Sequence, residues 1–440
     1  MRALLAGSVC LLAAATAAAQ PPAALATPAS QPSPPGRSLP APAANPTAGN
    51  VNFLPGSYSP AVGDANPAGP SVDLGDLTST NSWKMNNQGW WGQADYLLWW
   101  IRPMSTPSLI QAVPSASAIA SATNGSTLAA GSAQSLFPTT NNLRFGAFSG
   151  VRGTAGYNFE SFGLEVSGFY LGQQSRSASY ANDGTPASIA ESYYRAGTGT
   201  PVNLFGSLAG QYSGGIAADV TSQLWGAEAN VRLPWFAFLT TTTDALTGFR
   251  YMQLEEQLSL LNHSTFSDGT SLSVTDSFKT RNNFYGGQVG LDSRIGPTDR
   301  GFGLNLLGKV ALGDVNQHAE ITGSNTYYSA AGVANSQAGG LYARGANSGV
   351  FNRDIFGAIF ELNTTLTYNF TSWAQVYAGY SIMWLSSAQR PGQLLNPNIN
   401  DSQARFIANA PASNVTAPIF HWHGSDVTVQ GLTFGLKLQY

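Results

Sequence analysis

The clearest signal in this chain is an alternation of apolar and polar side chains with a period of two, which begins near Trp90 and recurs to the C-terminus. Successive side chains of a β-strand point to opposite faces, so this period predicts strands. In the last strand one face carries Leu432, Phe434, Leu436, Leu438 and Tyr440, and the other carries Gly431, Thr433, Gly435, Lys437 and Gln439. A cationic side chain at the bilayer midplane costs about 2 to 4 kcal/mol, so the apolar face should point outward into lipid.

The same split recurs along the chain and predicts about ten strands, in the range of roughly 8 to 12. The upstream segments are residues 92–101, 143–157, 162–170, 225–232, 248–258, 285–291, 304–312, 356–368 and 376–384. The apolar phase changes after Tyr251, which we interpret as a bulge.

The connections between these segments alternate between short and long, as the periplasmic turns and extracellular loops of an outer-membrane barrel do. The short connections are residues 158–161, 234–244, 293–302 and 369–373. The long ones, of about 22 to about 49 residues, are residues 102–142, 172–220, 259–280, 313–355 and 386–427. The sequence therefore predicts an all-β fold: a closed antiparallel transmembrane up-and-down β-barrel with both ends in the periplasm. The alternative is a soluble β-sandwich with the apolar stripes facing inward.

Two tryptophan pairs suggest the thickness of the membrane-spanning band. Trp90-Trp91 and Trp99-Trp100 are nine residues apart, which corresponds to about 23 Å along the membrane normal for a strand tilted by about 40°. We predict that all four tryptophans, together with Tyr440, belong to the aromatic girdles at the two membrane surfaces.

The N-terminal region predicts export. Residues 1–19 combine Arg2, an apolar stretch and a closing run of alanines, which is typical of a signal peptide. Residues 20–82 are rich in Pro, Ala and Gly without hydrophobic period, which predicts a disordered periplasmic tether. The tether could be a spacer or grip on a cell-wall partner, or an inert linker. Residues 83–440 would form the barrel domain.

Composition removes several classes of function. Charged residues make up 10% of the chain and the net charge is -3, so no basic face for nucleic acid is expected. The single cysteine, Cys10, falls within the predicted signal peptide. The mature chain would then contain no thiol, and we expect no cofactor.

Six segments carry a family resemblance. They are residues 91–100 (WGQADYLLWW), 150–157 (GVRGTAGY), 248–251 (GFRY), 282–290 (NNFYGGQVG), 390–392 (RPG) and 431–436 (GLTFGL). Over about residues 90–440 the chain resembles the seventh putative beta-barrel porin family, a group of planctomycete outer-membrane β-barrel proteins of unknown function. The resemblance implies localisation in the outer membrane and brings no catalytic or binding residues.

Charged residues of both signs fall on the inward face of the predicted strands. We predict that these line the lumen: Arg144, Arg152, Glu165, Glu228, Arg232, Arg250, Lys309, Glu361 and Lys437. They could form a selectivity-setting lining, or they could pair and plug the barrel. A ring of ten strands has a backbone radius of about 10 Å, and inward side chains occupy roughly half of it. This size favours the plugged or barely conducting state.

His421 and His423 are weak candidates for a metal site near the outer rim, because a His-x-His spacing places two imidazoles on one face of a strand. With Asp426 they also suggest a rim hydrolase of the outer-membrane protease type. Two histidines at this spacing are weak evidence, so we predict neither a metal site nor an enzyme.

The sequence thus predicts an outer-membrane barrel that is a structural envelope component or a narrow porin for small polar solutes. The alternatives are the rim hydrolase and a surface adhesin. We expect outer-membrane lipid as one partner and the barrel-insertion machinery, acting through the C-terminal strand, as another.

Overall fold

The computed structural model describes residues 88–124, 133–297, 300–407 and 410–440. The predicted signal peptide, the predicted tether and the first residues of the predicted barrel domain lie outside the described residues.

Ten long antiparallel strands form a closed ring. They are β1 (Gly89–Ile101), β2 (Phe148–Asn158), β3 (Gly163–Asn182), β4 (Tyr212–Phe238), β5 (Thr241–Phe266), β6 (Ser271–Ile295), β7 (Gly301–Tyr328), β8 (Gly349–Thr371), β9 (Ala374–Ala388) and β10 (Ser425–Gln439). These strands pair in chain order, and β1 also pairs with β10 from Trp91↔Gln439 to Ile101↔Val429. The ring therefore has no edge, and its backbone groups are satisfied even in lipid. The predicted closed barrel is confirmed.

The half of the barrel nearer the periplasm is apolar on its outer face and polar on its inner face, as the alternation predicts. Outward side chains such as Val166 and Val289 are exposed, whereas Glu165 and Gln288 beside them are buried in the lumen. Outward aromatic rings stand on either side of this lipid band. On the periplasmic side they include Trp90, Phe302, Trp373 and Tyr440, and on the external side Trp100, Tyr170, Tyr251 and Tyr285.

Above the external aromatic residues the polarity of the two faces is reversed. On β5, Met252, Leu254 and Leu258 are buried inside the barrel, and the alternate outward positions, such as Gln253 and Gln257, are polar. The pairing of β5 with β6 runs from Thr241↔Ile295 to Thr265↔Ser271 without a register shift. The expected bulge after Tyr251 is therefore wrong. The phase changes because the strand leaves lipid and enters water, where the apolar face must point inward. We call this part of the strands the upper barrel.

The upper barrel also corrects one predicted connection. Residues 259–280 are not a long loop, because β5 and β6 continue to a tight turn between Phe266 and Ser271. In this turn Asp268 accepts a hydrogen bond from the Thr270 N–H (2.9 Å), and Gly269 has a φ of 81°. The polar outward residues of these strands look like loop sequence, although they alternate with buried apolar ones.

The other four external connections fold over the top of the barrel as a cap. The first contains helix α1 (Ser115–Asn124). No helix in the described ranges is both long and apolar enough to cross a bilayer. A five-stranded sheet joins segments from three connections: Ile110–Pro114, Gln134–Phe137, Ala187–Arg195, Thr200–Phe205 and Asn398–Ile399. The Arg195 Nε of one connection lies 2.7 Å from the Asp401 carboxylate of another.

Asp276 fixes the cap to the inside of the upper barrel. Its carboxylate accepts hydrogen bonds from the backbone N–H groups of Leu341 (3.0 Å), Tyr342 (3.0 Å) and Ala343 (2.6 Å). Burial raises the pKa of Asp276 to about 6, against the lowering effect of these three donors. Burial also raises the pKa of the neighbouring Glu191 well above its ordinary value, and the Asp276 charge adds to this.

The boundary between lipid band and upper barrel can be tested on one face of β6. We expect Val289→Arg, in the lipid band, to lower the free energy of unfolding by about 2 to 4 kcal/mol. Thr275→Arg lies on the same face but in the upper barrel, and should have a negligible effect. Denaturant unfolding of the refolded barrel in micelles measures both. Equal effects would show that the boundary is misplaced.

Candidate functional site

The lumen is the candidate functional site, because eight of the nine predicted lining charges point into it. These eight are Arg152, Glu165, Glu228, Arg232, Arg250, Lys309, Glu361 and Lys437. Arg144 does not line the lumen, contrary to the prediction. It precedes β2, its side chain is exposed, and its carbonyl accepts a hydrogen bond from Arg176 Nε (3.1 Å). It was misplaced because the strand begins at Phe148, five residues later than the predicted segment 143–157.

An ion-pair network crosses the lumen at the middle of the lipid band. Arg152 lies 3.0 Å from Asp95 and 3.5 Å from Glu361. Arg250 forms ion pairs with both Glu361 and Glu228. Glu361 thus joins cations from β2 and β5 across the interior, and side chains from opposite walls meet there.

Glu228 extends this network to β6 and β7. It pairs with Lys309 and accepts a hydrogen bond from Gln288 Nε2 (3.2 Å). These side chains are almost entirely buried, so each charge depends on its partners. The network therefore places three cations and three carboxylates across the lumen.

A second cluster lies nearer the periplasm around Arg232. Its guanidinium lies 2.9 Å from Glu165 and 2.9 Å from Asp244, and it also pairs with Asp292. Arg294 pairs with Asp244. Sequence reasoning placed Asp244 and Arg294 in periplasmic turns, because the turns were predicted too long. The turn between β4 and β5 is in fact only residues 239–240.

Asp95 is a further lumen residue that was not among the predicted lining charges. It accepts a hydrogen bond from the Tyr377 hydroxyl and from Gln93 Nε2 (3.2 Å). Gly435 faces this contact, and a Cβ there would overlap the Tyr377 ring. The inward glycine thus makes room for the tyrosine.

Only one tryptophan of each pair faces outward, because neighbouring residues of a strand point to opposite faces. Trp90 and Trp100 are exposed on the outer wall, and Tyr440 is exposed at the periplasmic end. Trp91 and Trp99 are buried inside the barrel. Their predicted place in the girdles is wrong.

A hydrophobic layer lies directly above the ion-pair network. Trp99 is at its centre, where its Nε1–H donates to Thr433 Oγ1 (3.2 Å) and its ring packs against Phe169. The layer is continuous with the apolar interior of the upper barrel. A cavity of about 20 Å³ remains between Trp99, Arg152 and Met383, which is room for about one water molecule.

Residues 389–395 form a strap that descends from the cap into the upper barrel. Arg390 Nε donates to Glu256 Oε2 (2.8 Å), and Arg390 Nη1 donates to the Arg102 carbonyl (2.8 Å). Asn282 holds the backbone of Gln389 through two hydrogen bonds (2.9 and 2.7 Å). The strap contains the Arg-Pro-Gly segment of the family resemblance, and it fills the interior above the hydrophobic layer.

Below the ion-pair network the lumen widens into a vestibule of about 530 Å³. Residues of three periplasmic turns line its mouth: Leu239 and Thr240, Gly296 and Pro297, and Ser372 and Trp373. The vestibule therefore opens towards the periplasm and ends at the network.

His421 and His423 lie in the last external connection, and both have exposed side chains. Their ring centroids are 6.5 Å apart. Within the described ranges, no group of three or more His, Cys, Asp or Glu side chains is arranged to hold a metal ion.

The ten-stranded closed ring with its lipid band defines an outer-membrane β-barrel. The family model described as putative beta barrel porin-7 (BBP7) matches residues 91–440. The chain belongs to this family, as the sequence resemblance indicated, and its location is the outer membrane.

Solved structures of outer-membrane proteins show low similarity to this chain. The outer membrane protease OmpT of Escherichia coli is 8% identical with a TM-score of 0.37, covering 80% of this chain and 97% of that one. The transport unit of the autotransporter AIDA-I from Escherichia coli is 10% identical with a TM-score of 0.25, covering 84% and 94%. A Pseudomonas aeruginosa FadL homologue is 9% identical with a TM-score of 0.20, covering 81% and 90%. No curated protein matches the chain. The assignment therefore rests on the family match and the barrel itself.

Proposed function

We propose that this chain is a structural component of the outer membrane, a barrel whose lumen is closed to solutes. The observation that carries the proposal is that three successive groups of side chains occupy the interior above the vestibule. The ion-pair network, the hydrophobic layer around Trp99 and the strap at residues 389–395 follow one another along the barrel axis. A solute would have to pass all three.

The filling is made largely by the wall itself, which argues against a simple gate. Arg152, Arg250 and Glu361 project from three different strands, and Trp99 and Met383 from two others. Moving the strap alone would leave the network and the hydrophobic layer in place. This supports the closed barrel over the narrow porin.

Planar-bilayer recording of the refolded full-length chain tests the proposal. We expect no stable conductance from protein that shows heat-dependent migration on an SDS gel, which demonstrates a closed barrel. A stable conductance would overturn the proposal in favour of the narrow porin. In that case Arg152→Ala should change the ion selectivity, and Arg144→Ala, which lies outside the lumen, should leave it unchanged.

The proposal includes no enzymatic role and no adhesin role. The exposed His421 and His423 are left as residues of the external connection, and retention of zinc by the purified protein would contradict this.

The proposed partners are outer-membrane lipid, which the apolar outer band fits, and the barrel-insertion machinery, which would recognise the C-terminal strand ending at Tyr440.

A further inference from the structure

The periplasmic vestibule is a blind pocket with built polar walls. Its inner end is formed by Arg152, Glu228 and Lys309 of the ion-pair network, and amide and hydroxyl side chains line its sides. The amide side chains include Gln93, Asn305, Asn363, Asn369, Gln375 and Gln439. Its volume of about 530 Å³ suits a small molecule or the end of a narrow chain.

The charges that a ligand meets in this pocket are mainly positive. The carboxylates of Glu165, Asp244 and Asp292 are only 5%, 6% and 8% exposed, because Arg232 lies against all three. Arg294, at the mouth, is 34% exposed although it pairs with Asp244. The acids are thus covered by their partners, and a cation remains accessible.

Lys437 supplies a second cation with donors to spare. Among the cations that line the vestibule in the described part of the chain, it alone has no carboxylate within ion-pair distance. Its Nζ lies 4.6 Å from the centre of the Trp91 ring. From farther away, Arg294 and Arg232 repel its charge, and Asp292 and Glu165 attract it. An ammonium group has three donors, and within the described residues Lys437 makes neither a side-chain hydrogen bond nor an ion pair with them.

We propose that the vestibule binds the carboxylate group of a small periplasmic molecule or chain end, with Lys437 and Arg294 as its donors. A charge-assisted hydrogen bond from each cation would hold the carboxylate, and the amide side chains of the wall would contact the rest of the ligand. The inference goes beyond the proposed function, because loss of this binding would leave the lumen closed.

Ligand titration of the refolded full-length chain in micelles tests this site. The probes are N-acetyl-dialanine, which has a free carboxylate, its C-terminal amide, and acetate. We expect saturable binding of the acid in the millimolar range, and binding of the amide weaker by about tenfold or more, because the charge-assisted bonds are lost. Tighter binding of the dipeptide than of acetate would assign a chain end, and equal binding would assign a free small acid.

Two readouts and matched variants locate the binding. Ligand-observed NMR gives the affinity. Tryptophan fluorescence should change on binding in the parent and change less in Trp91→Phe, since Lys437 lies over the Trp91 ring. Lys437→Gln and, separately, Arg294→Gln should weaken binding of the acid about tenfold. Lys279→Gln removes a cation that pairs with Glu255 on the outside of the barrel and should leave binding unchanged.

Heat-dependent migration on an SDS gel verifies that each variant is folded. Arg294 lies at the mouth, so its replacement tests the site even where Lys437→Gln does not refold. Equal binding of acid and amide to the parent, or no saturable binding of the acid, would overturn the proposal. So would full affinity in both folded variants.

Discussion

Replacing Glu361 with alanine should lower the free energy of unfolding by about 3 to 5 kcal/mol. Glu361 pairs with both Arg152 and Arg250, and it also accepts a hydrogen bond from Asn363 (2.8 Å). Its removal leaves two guanidinium groups buried with one carboxylate partner fewer. Because water cannot reach them freely, the lost attraction is not replaced by hydration. Denaturant unfolding of the refolded protein in micelles, followed by tryptophan fluorescence, measures the change.

Glu255→Ala is the matched control for this prediction. Glu255 also pairs with two cations, Lys279 at 2.8 Å and Arg281 at 3.1 Å, but on the water-facing side of the upper barrel. Exposed ion pairs contribute little, so we expect a loss within about 1 kcal/mol. If both variants lost the same small amount, the lumen network would not be the buried, mutually dependent cluster described above.

Trp99→Ala should also destabilise the barrel by about 3 to 5 kcal/mol, because it leaves a cavity at the centre of the hydrophobic layer. Trp99 is 2% exposed and contacts Phe169, Thr433 and Arg152. The side chains around the cavity come from the rigid wall and cannot collapse far into it. The same unfolding experiment measures the loss.

Trp100→Ala is the matched comparison for Trp99→Ala. Trp100 faces outward and is 39% exposed, so Trp100→Ala removes surface contacts without leaving a void inside the barrel. We expect it to cost less than half of what Trp99→Ala costs. The reverse order would mean that β1 presents its other face to the lumen.

The wall of the barrel could be predicted from the sequence because lipid and lumen demand opposite chemistry at successive positions. In β10, for example, Lys437 must avoid lipid while Leu436 seeks it, and this fixes both the period and its direction. The same alternation put eight of the charges on the inward face of the strands. It could not name their partners, because Glu361 and Arg250 are on strands that are not neighbours and meet only when the ring closes.

The upper barrel could not be predicted, because the sequence pattern does not show whether lipid or water surrounds a strand. Beyond Tyr251 the same alternation continues in water, and its reversed phase resembled a bulge followed by a loop. The girdle prediction was wrong for Trp91 and Trp99 because two adjacent aromatic residues match the composition of a girdle, although only one of them can face lipid. The strap at residues 389–395 has no period at all, and only its contacts with Glu256 and Asn282 reveal its position.

The reversal of polarity along single continuous strands makes the alignment of neighbours unusually strict. If β6 slipped by one residue against β5, Gln288 would turn towards hydrocarbon at the same time as Phe278 turned towards water. Such a shift would be unfavourable at both ends of the strand, because lipid would surround polar side chains at one end and water would surround apolar side chains at the other. A register shift therefore costs free energy in both parts of the strand. We expect mispaired hairpins to be less stable, relative to the correct pairing, than in a barrel confined to the bilayer.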